Sequence, residues 1–214
     1  MYIYELHQHT SACSGCGAIT PEELPYDLKR EGYAGCVLTD HFFHGYTAIR
    51  RNIPWEDFVA AYEDGWRRAK AVGDQIGVDI LFGIEEGVGD GKEVLLYGIT
   101  PQFLYDHPEL RDTPVDLEHL SQIVHEAGAL LYQAHPFRVR DYIARPWEAL
   151  PPMLSGLLVP WMPYWPHGTF SPRNLVPKPP NSPEKRLVMV YMPTGDGVSH
   201  APVAMGHVFC ASVP

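Results

Sequence analysis

Hydrophobic positions along the chain fall into two alternating textures. Short runs rich in β-branched and aromatic residues, YIYEL (2–6), GCVLT (35–39), VDILFG (78–83), EVLLYGI (93–99) and ALLYQA (129–134), have the length and composition of strands. Between them lie longer amphipathic stretches, TPEELPYDLKREG (20–32), WEDFVAAYEDGWRRAKAVG (55–73) and DLEHLSQIVHEAG (116–128), which read as helices. Thr20 is a candidate N-cap with Pro21 at the first helical position, and all three stretches close on a glycine suited to a left-handed C-cap. Pro25, one turn further on, predicts that the first helix starts late or is irregular. Strand and helix in alternation predict parallel strands joined by helical crossovers, an α/β layered or barrel fold.

After about Leu150 the texture changes. Residues 151–183 hold ten prolines, a density that no helical period survives, and RLVMVYM (186–192) restores one strand-like run. The expected architecture is one domain over residues 1–214 with an irregular, proline-rich C-terminal third. Two origins for residues 151–185 stay open, a divergent lid over a site or a shifted reading frame, and sequencing the coding DNA separates them.

Composition narrows the function. A formal net charge of −10 offers no footprint for a polyanion, so nucleic acid is not an expected partner, whereas a small phosphate ester remains compatible because bound cations reverse a local field. The N-terminus lacks the basic and apolar regions of a signal peptide, and no run approaches the ~20 apolar residues of a membrane span; a cytoplasmic protein away from membranes is expected. Cys13, Cys16, Cys36 and Cys210 are then expected as thiols. Cys13 and Cys16 form a C-x-x-C with no second pair to complete a four-thiolate site, and loop packing is the simpler reading.

The candidate chemistry lies at strand ends. In ELHQHT (5–10), His7 and His9 stand two residues apart on a strand and project to one side, so two ring nitrogens can reach one ion at ~2.0–2.1 Å. The second strand runs into TDH, with Asp40 and His41, and the third into GIEE, with Glu85 and Glu86. The fifth runs into QAHPFR, with His135 and Arg138, and GVSHAP places His200 after the last strand-like run. One such pair is weak evidence, but metal-ligand residue types at several successive strand ends coincide with where parallel α/β folds assemble their sites. His44, in TDHFFHGY, is close by adjacency, with a structural role as the simpler reading; His119 and His125 fall on different helix faces and read as structural.

In these motifs, ELHQHT, TDH, GIEE and AHP in order, with TGDGVSHAP more weakly, the chain resembles the polymerase-and-histidinol-phosphatase (PHP) family of metal-dependent hydrolases. The resemblance implies a distorted (β/α)7 TIM-like barrel with two or three divalent ions, Zn²⁺, Mn²⁺ or Fe²⁺, hydrolysing a phosphate ester through a metal-activated water. It also implies that His7 and His9 bind one ion, Glu85 bridges two, His41 and His135 serve the neighbouring ion, and His200 completes the set. Glu85, His135 and Arg138 are the candidate catalytic residues. Arg138 is either a bidentate clamp on substrate phosphate or a surface arginine. Asp40 and Glu5 take supporting places, and Glu93, where other members often carry a histidine, is left open.

The chain also departs from the family pattern. Laid without gaps on the closing motif, Val198 falls where a metal-binding aspartate is expected, with Asp196 two residues earlier as the nearest substitute, and SACSGCG replaces an acidic ligand after His9. A catalytically degenerate, metal-binding structural or regulatory module is therefore the competing expectation. Trp161, Tyr164 and Trp165 either pack the proline-rich segment or line a substrate mouth. The natural substrate and the oligomeric state are not legible in the residues.

Overall fold

The computed structural model describes residues 4–112 and 116–135, together with the strands at 156–160, 187–194 and 205–212. Eight strands form one curled, half-barrel sheet in sequence order: β1 Tyr4–Gln8, β2 Gly35–Leu38, β3 Asp79–Gly87, β4 Glu93–Tyr97, β5 Leu130–Ala134, β6 Gly156–Pro160, β7 Leu187–Thr194 and β8 Met205–Ser212. The helices are α1 Leu24–Arg30, α2 Trp55–Ile76, α3 Pro101–Asp106 and α4 Leu117–Glu126, with a short 3₁₀ turn at Pro108–Arg111.

The expected all-parallel barrel needs correction. β1, β2 and β3 pair in parallel, but β4 runs antiparallel to both β3 and β5, and β8 is antiparallel to β7. Only five residues separate Gly87 from Glu93, too few for a helical crossover, so the chain turns back as a hairpin through Gly89, Asp90 and Gly91, all at positive φ. β3 is also longer than expected, so Glu85 and Glu86 lie within the strand, opposite Leu95 and Val94. The C-terminal third holds two strands that the sequence reading missed, β6 inside the proline-rich stretch and β8 near the end. The domain assignment over 1–214 stays an expectation.

Helix boundaries follow local chemistry. Thr20 and Glu23 make reciprocal bonds, Thr20 Oγ1 donating to Glu23 Oε2 at 2.7 Å while Glu23 N–H donates to Thr20 Oγ1 at 3.3 Å. Regular helix begins only at Leu24, because Pro25 has no N–H to give to the turn before it. α2 runs through Gly73, whose missing side chain admits Val78 O to within 2.5 Å of where a Cβ would stand, and stops at Gly77, φ 74°. Asp116 caps α4, accepting from the N–H groups of Glu118 and His119 at 2.9 and 3.4 Å.

The helices cover one face of the sheet. The largest cluster there includes Phe42, Phe43, Trp55, Phe58 and Tyr62, with the Phe42 ring centroid 5.1–5.7 Å from those of Tyr62, Phe58 and Trp55 in edge contacts. A second cluster, Leu24, Leu28, Cys36, Leu38 and Ile80, seats α1. The other face of the sheet carries Val37, Leu95, Tyr97, Tyr132 and Ala134, with Leu6 against them. Among the described residues no helix is long and apolar enough to cross a membrane.

Candidate metal centre

Five elements converge. The ladder between β1 and β2 slips by one residue between Glu5 and Gln8, a bulge that re-aims the strand where His7 sits, and His7 N–H donates to buried Glu5 Oε1 at 2.9 Å. Beyond β2 the backbone continues to pair with β3: Glu85 N–H donates to Asp40 O at 3.0 Å and Phe42 N–H to Glu85 O at 2.8 Å, fixing His41 beside Glu85. The hairpin sets Glu93, at the start of β4, next to the end of β3. His135 follows β5 directly, at φ 25°, a conformation rare for a residue with a side chain.

Glu85 is the hub. It is 1% exposed, and its Oε2 lies 3.2 Å from His7 Nε2, 3.3 Å from His9 Nε2 and 3.1 Å from His41 Nδ1. Its Oε1 lies 2.9 Å from His135 Nε2. Glu93 extends the group, with Oε1 3.4 Å from His41 Nδ1 and Oε2 3.2 Å from His135 Nε2. Despite this proximity, His41 Nδ1 and Glu85 Oε2 are both buried without a hydrogen bond of acceptable geometry.

Two buried atoms, His41 Nδ1 and Glu85 Oε2, therefore face each other without a hydrogen bond inside the cluster, an arrangement that a cation satisfies. Three sets each have their ligand atoms within 4.8 Å: His7, His9 and Glu85; His41, Glu85 and Glu93; His9, Cys16 and His41. Glu85 is common to the first two, as a bridging carboxylate would be. The separation of 3.0 Å between His7 Nε2 and His9 Nε2 matches that of two nitrogens bound at ~2.0–2.1 Å to one ion.

Protonation follows from burial and charge. Burial, with repulsion from His7, His41 and His135 and against the attraction of Glu85, pushes the His9 imidazole down to about 3. Burial also lowers His41. For His135 burial acts in the same sense, but the bonds and charges of Glu85 and Glu93 overcome it and raise the ring to about 9. Burial opposes the charge of Glu85 as well, yet His7, His135 and His9 hold its carboxyl well below the usual carboxylate range.

A layer of side chains behind the cluster sets its geometry. Asp40 accepts from Thr10 N–H at 2.6 Å, Thr10 Oγ1 at 2.7 Å and Ser14 Oγ at 2.5 Å, so both its oxygens hold the loop after β1. Burial raises its carboxyl to about 6 against those bonds. The Ser14 hydroxyl, its hydrogen given to Asp40, accepts from His41 N–H at 2.9 Å and faces His9 Nδ1 at 3.0 Å. His9 Nδ1 must then carry the hydrogen, which turns a bare Nε2 toward Glu85. Glu86, fully buried, accepts from the backbone N–H groups of Phe43, His44 and Gly87 and pins the chain after His41; burial raises its carboxyl to about 8.

Of the residues singled out in the sequence, His7, His9, His41, Glu85 and His135 are brought together. Arg138, His200, Val198, Asp196, Trp161, Tyr164 and Trp165 lie outside the described residues. His44 turns its ring to Leu110 O, 3.1 Å away, while His125 meets Ser121 and His119 lies 3.6 Å from Glu109. Glu93, left open, reaches the cluster. Cys16 was missed, because the C-x-x-C divides: Cys13 Sγ packs 3.7 Å from Tyr62 O on α2, while exposed Cys16 stands beside His9 and His41.

By sequence, the chain matches no family model and no curated protein. Among solved structures it is similar to a two-domain protein from Bacteroides vulgatus containing a predicted PHP-like metal-dependent phosphoesterase, at 13% identity and a TM-score of 0.53 over 74% of this chain. The chain spans 44% of the length of that protein. A protein from Bifidobacterium adolescentis described as a metal-dependent phosphoesterase aligns at 17% identity and TM-score 0.46, over 72% of this chain and 76% of its own. An amidohydrolase from Chromobacterium violaceum aligns at 16% identity and TM-score 0.47 over the same shares. The fold is similar to that of the Bacteroides vulgatus protein, which contains the class of domain that the sequence motifs resemble.

Proposed function

We propose that the protein is a metal-dependent hydrolase that cleaves a small phosphate ester through a metal-activated water. The observation that carries this reading is the buried carboxylate of Glu85, with three histidine nitrogens 3.1–3.3 Å from one oxygen and a fourth 2.9 Å from the other. His7, His9, His41, Glu85 and His135 would hold two or three divalent ions, with Glu93 added by the geometry and His200 by the motif. The mixture of imidazole and carboxylate suits Zn²⁺, Mn²⁺ or Fe²⁺. Such ions, when bound, lower the pKa of a water and neutralise charge on a phosphoryl oxygen.

The chain's own residues prepare that chemistry. Ser14 holds His9 in the tautomer with a free Nε2, and Glu5 and Asp40 fix the strand and loop on either side of the two histidines. Glu85 carries negative charge into a buried place, where it is worth most as an anchor for cations. His135 presents Nε2 between Glu85 and Glu93, so this is the nitrogen through which the ring would bind an ion, in place of the proton it otherwise shares with the two carboxylates. Arg138, three residues further along the chain, is the candidate clamp for the substrate phosphate.

Elemental analysis of the purified protein beside the double variant His7→Ala, His9→Ala, with hydrolysis of an aryl phosphate and an aryl amide in the same samples, tests the proposal. Two or more ions per chain, lost in the variant together with phosphatase turnover, support it. Amide hydrolysis in place of phosphatase activity would move the substrate class. The second reading, a degenerate metal-binding module, is favoured by Val198 and predicts bound ions without turnover of either substrate.

A further inference from the structure

Cys16 belongs to neither the proposed bridging set nor the core. Its loop is closely tied: Ser14 N–H donates to Thr10 O at 3.1 Å, Gly15 N–H to Tyr46 O at 2.8 Å and Gly17 N–H to Ser14 O at 3.0 Å. Gly17 passes so close to Thr10 that a Cβ there would stand 2.1 Å from its carbonyl oxygen. Cys16 is thus delivered from a short anchored turn to within 4.8 Å of ring nitrogens of His9 and His41, while Cys13 is turned away against α2. His41 is 6% exposed, and its Nδ1 is buried without a hydrogen bond.

We infer that Cys16 supplies a thiolate ligand to a divalent cation held between His9 and His41, making the centre a mixed imidazole, carboxylate and thiolate site. The inference rests on reading the cluster as a metal centre. It narrows the cation to the borderline and thiophilic class, Zn²⁺ or Fe²⁺ rather than Mg²⁺ or Ca²⁺, because a sulfur donor is poorly matched to hard ions. As the metal–sulfur bond forms, the thiol proton leaves to solvent, so binding at this position releases one proton.

The test is optical. The full chain, stripped of metal and loaded with Co²⁺, should show visible ligand-field bands from a protein-bound ion and a near-ultraviolet sulfur-to-cobalt charge-transfer band. The Cys16→Ser variant should keep the visible bands and lose the near-ultraviolet one. Cobalt should also protect Cys16 in the unmodified protein from alkylation by iodoacetamide, read by peptide mass mapping. Visible bands without a charge-transfer band, a band that survives in Cys16→Ser, or equal alkylation with and without cobalt would overturn the inference and leave the metal centre standing. Failure to bind cobalt at all would remove both.

Discussion

Ser14 Oγ lies 2.5 Å from Asp40 Oδ1 and 3.0 Å from His9 Nδ1, so one hydroxyl links a buried carboxylate to an imidazole of the cluster. Replacing it with alanine leaves His9 free to change tautomer and strips Asp40 of one of its donors. Ser14→Ala should weaken ion binding about 10–100-fold, the usual effect of removing a hydrogen-bond partner from a metal-binding histidine. Competition against a chelating dye measures it, and unchanged affinity would show that the tautomer is set elsewhere.

Glu85 is predicted to control the titration of His135. In the metal-free protein, Glu85→Gln removes the leading partner that holds the His135 ring up at about 9, leaving only Glu93 to oppose the effect of burial. The His135 pKa should fall by more than one unit in the variant, read from ring proton shifts against pH. Bound ions should be lost as well.

Metal removal should lower thermal stability. An ion present at 100 times its dissociation constant stabilises the folded chain by about 2.7 kcal/mol, equivalent to about 5–10 °C for a chain of this size. Chelation followed by calorimetry should show a drop in that range, reversed by adding back Zn²⁺ or Mn²⁺. An unchanged midpoint would mean that no ion was held.

The metal-free protein should lose stability as pH rises from about 6.5 to about 9. Glu86, pushed up to about 8, and His135, pushed up to about 9, keep protons in the folded state that the unfolded chain has already released. Their contributions are complete below the unfolded pKa of each group and vanish as pH passes the folded value, at no more than about 1.4 kcal/mol per unit for each proton. Below that window His9, buried and neutral down to about 3, acts in the opposite sense. Urea unfolding at several pH values measures the slope, and Glu86→Gln should flatten it by one proton.

Phe42 is the packing anchor next to His41. It is fully buried among Trp55, Phe58 and Tyr62, and Phe42→Ala should cost about 3–5 kcal/mol by leaving a cavity there. Alanine keeps the backbone N–H that holds Glu85 O, so stability should fall more than metal affinity, which a chemical denaturation series with and without Zn²⁺ would separate.

How much of this was legible in the sequence depends on the range of the interaction involved. The H-x-H, TDH, GIEE and AHP motifs sit at or near strand ends, and strand position can be read from local patterning, so five of the candidate ligands were found. The direction of β4 was not legible, because EVLLYGI suits a strand of either sense; only the short turn after Gly87 decides it. That reversal is also what brings Glu93 into the cluster. Cys16 was hidden by its partner, since a C-x-x-C is read as a pair and nothing local shows that Cys13 packs against α2. β6 was masked by the prolines around GLLVP.

The shared position of Glu85 has a topological consequence. A cation bound by His7 on β1, by His9 just beyond its end and by Glu85 on β3 would staple together points separated by on the order of 80 residues of chain. A covalent cross-link across a loop of that size is worth about 3–5 kcal/mol in the chain-entropy picture. Cys13, Cys16 and Cys36 form no disulfide. The centre would then serve this chain as a removable rivet, fastening the first strand to the third for as long as the ion stays.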